Sequence, residues 1–124
     1  HRGSSAASDV YKRQVLSVVG DYLEHSRLYY FHNGGNPIIY SGSADVMIRS
    51  FKRRIESLFK INEEFIKKEA ITILNYNLRD NCNSYELNED GSYSKREKGK
   101  NKEFNLFKEF YLFDRNKVEE SIIL

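Results

Sequence analysis

The residues best equipped for chemistry lie between positions 24 and 56. His25 stands two residues before Arg27. Gly42-Ser43-Ala44-Asp45 follows, and then Arg49, Arg53, Arg54 and Glu56. An imidazole beside a guanidinium suits phosphoryl chemistry: histidine serves as nucleophile or proton donor, and arginine grips phosphate oxygens through paired N–H bonds. A glycine at a strand end lets a phosphate approach the backbone, and a serine hydroxyl adds a donor. Arg54 and Glu56 are two residues apart and share one face of a strand. That spacing suits an arginine held in place by an acid, or an acid that helps to hold a metal-bound nucleotide. Each feature also has a plain structural reading. Gly-Ser is turn chemistry, Arg54 with Glu56 is a solvated ion pair of small value, and Asp45 is a helix N-cap. The ordered set is rarer than its parts.

The local pattern around these residues gives their supports. Val15, Val18, Val19 and Leu23 recur at helical spacing, so residues 15–24 read as a short helix weakened by Gly20. His25 then falls where helix gives way to strand. Residues 27–32 and 38–42 read as a β-hairpin around Asn33-Gly34-Gly35, types that tolerate positive φ. Both faces of these strands are apolar, which predicts cover on two sides. Residues 43–51 read as a connection or short helical turn, and the alternation in 53–59 as a third strand. A helix over 62–80 is predicted, with Asn62 as N-cap, Glu63 and Glu64 in the first turn, and a stripe of Ile66, Ala70, Ile73 and Leu74. Asn81 is its predicted C-terminal cap. Residues 83–96 read as a loose hairpin turning at Asp90-Gly91. The run 95–103 reads as a solvated charged loop, and Phe104, Phe107, Phe110 and Tyr111 mark an amphipathic helix. The class is α/β or α+β, a mixed sheet flanked by helices.

Composition narrows the field. The chain has 124 residues, enough for one domain, with 20 Lys+Arg against 18 Asp+Glu. That balance argues against a general nucleic-acid binder. No run approaches the ~18 apolar residues of a membrane span. The single cysteine, Cys82, excludes a disulfide framework and a cysteine-cluster metal site, and points to a reducing compartment. Residues 1–14 carry no apolar core of the signal-peptide kind and read as a non-native or disordered tail. The domain is therefore expected over 15–124.

Several short motifs occur in a fixed order: LEHSR at 23–27, the YYF strand, NGGNP at 33–37, SAD at 43–45, Met47, Arg49 and RRIE at 53–56. Histidine-x-arginine, a hairpin and Gly-Ser resemble half of a phospholipase D-type site. The full set resembles the C-terminal catalytic domain of bacterial polyphosphate kinase, strongly over 15–60 and more weakly to about 94. The resemblance implies an incomplete phospholipase D-like domain of an enzyme that reversibly moves the terminal phosphate of ATP onto polyphosphate. It implies a phosphohistidine carried by an upstream domain absent from this chain, so the piece alone is expected to be inactive. His25 matches the second active-site histidine, which assists transfer. Arg54 and Glu56 match positions lining the nucleotide phosphates. Arg27, Arg49, Ser43 and Asp45 match motif positions without individual roles.

The resemblance further implies ATP or ADP as substrate, Mg2+ held mainly by the missing domain and no metal held by this chain. The implied partners are polyphosphate, the upstream domains and further copies of the chain, with neither nucleic acid nor a membrane span. The implied setting is cytoplasmic, with peripheral membrane association as a variant. The sequence departs from the pattern at Val46, where tryptophan is expected, at Ser50, where asparagine is expected, and at Phe51-Lys52. Two alternatives stand beside this reading. One is a phospholipase D-like phosphodiesterase or nuclease half-site, which would usually carry lysine and asparagine where Arg27 and Val46 stand. The other is an anion- or polyphosphate-binding module using Arg49, Arg53, Arg54 and 95–102 without catalysis.

Overall fold

Aromatic and β-branched residues on both sides of Asn33-Gly34-Gly35 favour extended chain, and the turn between them needs left-handed backbone. The computed structural model describes residues 13–21, 25–43 and 56–123 and has this hairpin. Strand β1 is Leu16–Val18, β2 is Leu28–Phe31 and β3 is Ile38–Gly42. Asn33, Gly34 and Gly35 take φ of 49°, 62° and 96° between β2 and β3. The strands pair antiparallel, with Leu28 opposite Ser41 and Phe31 opposite Ile38. Among the described residues, no helix is long and apolar enough to cross a membrane.

The chain divides into two compact units, residues 22–75 with 113–124, and residues 1–21 with 76–112. In the first, β4 (Leu58–Lys60) adds to β3, giving a sheet of order β2-β3-β4. The predicted strand 53–59 is therefore displaced: Glu56 and Ser57 precede β4, and 53–55 lie outside the described residues. The connection expected over 43–51 also lies outside them beyond Ser43. Ile39 is fully buried with Ile61, Ala70 and Ile71, and Leu28 and Tyr30 pack against this cluster. Because strand side chains alternate, Tyr29, Phe31, Ile38 and Tyr40 take the opposite face. Phe31 meets Tyr40 edge-on at 6.2 Å and is still 56% exposed. Tyr29, Ile38 and Tyr40 on that face are half-buried.

Helix α1 spans Glu64–Arg79, and the N–H of Lys67 donates to the Glu63 carbonyl at 3.0 Å to close its first turn. The predicted apolar stripe needs correction. Ala70 is buried, but Ile66 is exposed and Ile73 and Leu74 are only half-buried. The deeply buried positions include Ile71, Thr72 and Asn75. Two polar side chains go inside because the C-terminal segment satisfies them. Asn75 Nδ2 donates to Glu119 Oε2 at 2.6 Å and to the Ser121 carbonyl at 2.9 Å, and its Oδ1 accepts from Ile123 N–H at 2.8 Å. Thr72 Oγ1 donates to the Lys68 carbonyl and accepts from Glu119 N–H. Buried polar groups with all partners in place avoid the desolvation cost that apolar patterning is meant to prevent.

In the second unit, β1 pairs with β5 (Ser84–Leu87), which pairs with β6 (Tyr93–Lys95), all antiparallel. This overturns the helix predicted over 15–24: Leu16, Ser17 and Val18 lie opposite Glu86, Tyr85 and Ser84. Four apolar residues fit a helical period, but β-branched valines and a free hairpin edge favour the ladder. The β5–β6 hairpin turns at Asp90-Gly91 as predicted, with Gly91 at φ 87°. Helix α2, Leu106–Tyr111, also matches expectation, and Asn105 caps it by accepting from Phe107 N–H.

Asp80, fully buried, ties this unit together. Its Oδ1 accepts from the N–H groups of Cys82 and Asn83 and from Ser84 Oγ; its Oδ2 accepts from Leu106 N–H and Asn83 Nδ2. Burial alone would raise this carboxyl. Donors led by Leu106 N–H and Asn83 outweigh it and hold the group below its usual range. Asn81 does not act as the predicted helix cap. Its side chain donates to the Lys102 carbonyl and accepts from Phe104 N–H, fastening a distant loop.

Candidate functional site at one end of the β2-β3-β4 sheet

Antiparallel pairing collects three chain segments at one end of this sheet. The chain enters β2 through His25-Ser26-Arg27, leaves β3 through Gly42-Ser43 and enters β4 through Glu56-Ser57. Side-chain bonds fix the junctions. Ser41 Oγ donates to the Arg27 carbonyl at 3.0 Å. Ser43 N–H donates to the Ser57 carbonyl at 2.9 Å, and Ser57 N–H donates back to Ser43 Oγ at 3.1 Å. The Ser43 hydroxyl oxygen accepts in this bond.

Gly42 is required by the approach of β4. A Cβ there would lie 2.1 Å from the Ser57 carbonyl oxygen and 2.9 Å from Leu58 Cα. Its smallness therefore serves strand packing in the first place. Gly42→Ala is expected to destabilise the protein by about 1–3 kcal/mol, the usual cost of overpacking. A urea midpoint unchanged from wild type would contradict the close approach.

Of the seven predicted site residues, His25, Arg27, Ser43 and Glu56 fall at this sheet end. His25 and Ser43 are exposed, and Arg27 and Glu56 are half-buried. Asp45, Arg49 and Arg54 lie outside the described residues, as do Val46, Ser50, Phe51, Lys52 and Arg53. Sequence reasoning missed Ser41 and Ser57, which hold the Arg27 and Ser43 backbones. Their only signal is the recurrence of serine at strand ends. Among the described residues, no group of three or more His, Cys, Asp or Glu side chains could hold a metal ion. The set at the sheet end comprises an imidazole, a guanidinium, a hydroxyl and a carboxylate. Together these can neutralise phosphate oxygens, donate to them and move a proton.

Comparison with known proteins gives this arrangement a family. The family described as polyphosphate kinase C-terminal domain 2 matches residues 5–106. The chain is 47% identical over 83 residues to a polyphosphate kinase of Synechocystis, covering 67% of this chain and 11% of that protein. It is 48% identical over 80 residues to one from Bacillus cereus, covering 64% of this chain and 11% of that protein. The crystal structure of polyphosphate kinase from Porphyromonas gingivalis superposes with a TM-score of 0.76 at 31% identity, covering 80% of this chain and 15% of that one. The chain thus spans roughly a tenth of the length of the curated relatives it matches. With the family match over most of its length and the ordered motifs it contains, this chain belongs to the polyphosphate kinase C-terminal domain family.

Proposed function

We propose that residues 15–124 form an incomplete C-terminal domain of a polyphosphate kinase. The whole protein would reversibly transfer the terminal phosphate of ATP to a polyphosphate chain through a phosphohistidine on an upstream segment. The observation that carries this reading is the convergence of His25, Arg27, Ser43 and Glu56 at one sheet end, in a chain of this family. In the proposed cycle the bond from the terminal phosphorus to ADP breaks as a bond to histidine nitrogen forms. That bond then breaks as the terminal oxygen of the growing chain attacks. Catalysis of such transfers is mainly positioning and charge neutralisation.

Each residue has a proposed part. Arg27 and Arg54 neutralise phosphate oxygens, and Glu56 orients Arg54. Ser43 donates its hydroxyl proton to the same oxygens. His25 holds or moves a proton at the transferring group. Magnesium is assigned to the upstream part of the protein, and ATP or ADP binds across both parts. Further copies of the chain, and a cytoplasmic setting with peripheral membrane association as a variant, belong to the same proposal.

The reverse reaction tests the reading. A full-length polypeptide carrying this segment should form ATP from ADP and polyphosphate; a folded protein that forms none overturns it. Within that assay Arg54→Ala should lower turnover by about 10²–10³-fold, the size typical of losing one aimed charge donor. Arg53→Ala should cost far less, because the resemblance matches Arg54, and not Arg53, to the positions lining the nucleotide phosphates. Equal losses would contradict the assigned roles.

A further inference from the structure

We propose that residues 95–102, the end of β6 and the loop that follows it, are a docking surface for the phosphate chain itself, a linear inorganic polyanion. The inference rests on the polyphosphate kinase reading for the identity of that polyanion. Residues 95–102 hold five basic side chains, Lys95, Arg96, Lys98, Lys100 and Lys102, against one acid, Glu97. The loop thus carries a net +4, whereas the whole chain carries +2. Such concentration attracts a polyvalent anion far more than a small one.

The loop is also held in shape, unlike a slack surface connection. At its start, Arg96 N–H donates to the Ser84 carbonyl at 2.9 Å, and the Arg96 guanidinium donates to the carbonyls of Leu78 and Asp80. At its end, buried Asn81 donates to the Lys102 carbonyl at 3.0 Å. Between the anchors, Gly99 takes φ 58° and Asn101 N–H donates to the Lys98 carbonyl. Arg96 is paired with Glu86 at 4.0 Å and Lys98 with Glu103 at 3.8 Å, whereas Lys95, Lys100 and Lys102 are exposed and form no ion pair among the described residues. Three ammonium groups on an anchored frame pay little ordering cost when a chain of phosphates lies across them. Lysine suits this task, since a point charge needs no fixed geometry to follow a flexible chain.

The test is binding of fluorescently labelled long-chain inorganic polyphosphate to the 124-residue chain, read by anisotropy at two salt concentrations. The triple variant Lys95→Gln, Lys100→Gln, Lys102→Gln should bind roughly tenfold more weakly, with a shallower salt dependence. Lys108→Gln with Lys117→Gln removes charge elsewhere and should change affinity less than about twofold. Circular dichroism should be unchanged in both, because every substituted residue is exposed. Triple-variant binding equal to the control overturns the loop assignment, and so does a wild-type chain that binds no polyphosphate. Formation of ATP from ADP and polyphosphate by the full-length wild type separates the two claims. If ATP forms while the loop variant binds normally, only the loop assignment falls. If none forms, the kinase reading falls with it.

Discussion

Replacing His25 by alanine in the full-length polypeptide is expected to lower ATP-dependent polyphosphate synthesis by about 10²–10⁴-fold, the usual contribution of a positioned acid–base group. His25 sits where the chain enters β2, two residues before Arg27, whose carbonyl is fixed by Ser41. It is exposed. The assisting role has a signature that a simple loss of activity lacks. Phosphoenzyme should still form from labelled ATP on the histidine proposed to lie upstream, and should persist longer than in the wild type because onward transfer is slowed. Complete absence of phosphoenzyme would contradict the assisting role. Undiminished synthesis would remove His25 from the site.

Asp80→Ala is expected to be the most destabilising single change among the described residues of its unit, by about 3 kcal/mol or more. One fully buried carboxylate satisfies five donors drawn from Cys82, Asn83, Ser84 and Leu106. Alanine removes this acceptor from buried Ser84 and Leu106 and from half-buried Cys82 and Asn83, whose side chain keeps Asn105 Oδ1 as a second acceptor; each buried orphan costs on the order of 1–3 kcal/mol before relaxation. Chemical denaturation at neutral pH checks this; a loss below about 1 kcal/mol would contradict the network. The same residue predicts a pH dependence. Its folded value lies below the ordinary 3.8, so the unfolded chain takes up the proton first as pH falls. Its contribution is therefore complete above the unfolded value and is lost as pH drops from there through the folded value. Asp80→Asn should be less stable at neutral pH and should flatten the acid limb of the stability curve. An acid limb identical to that of the wild type would contradict the assignment.

Local chemistry made part of this fold readable from sequence. The Asn33-Gly34-Gly35 turn, the Asp90-Gly91 turn and α2 follow from residues whose backbone or patterning preferences are strong over short distances. Where a long-range partner decides the outcome, sequence reasoning failed. Residues 15–18 fit a helical period, yet they complete a ladder whose other strand lies about 70 residues away. The stripe on α1 was misplaced because Thr72 and Asn75 are polar, and only the returning 119–123 segment makes their burial affordable. Asn81 looked like a helix cap because its partners at 102–104 are remote in sequence. The sheet-end residues were legible as chemical types in order. The serine bonds that hold them could not be seen, since Ser41 and Ser57 resemble any other strand-end serine.

The proposed function makes this sheet end part of a phosphate-chain transferase. Its most direct test is stoichiometry in the forward direction. Full-length wild-type protein should be incubated with ATP, and ADP release and polyphosphate growth followed together. One ADP is expected for each phosphate added to an acid-labile linear chain, with both signals lost in the His25→Ala variant. ADP release with free phosphate and no chain growth would contradict it.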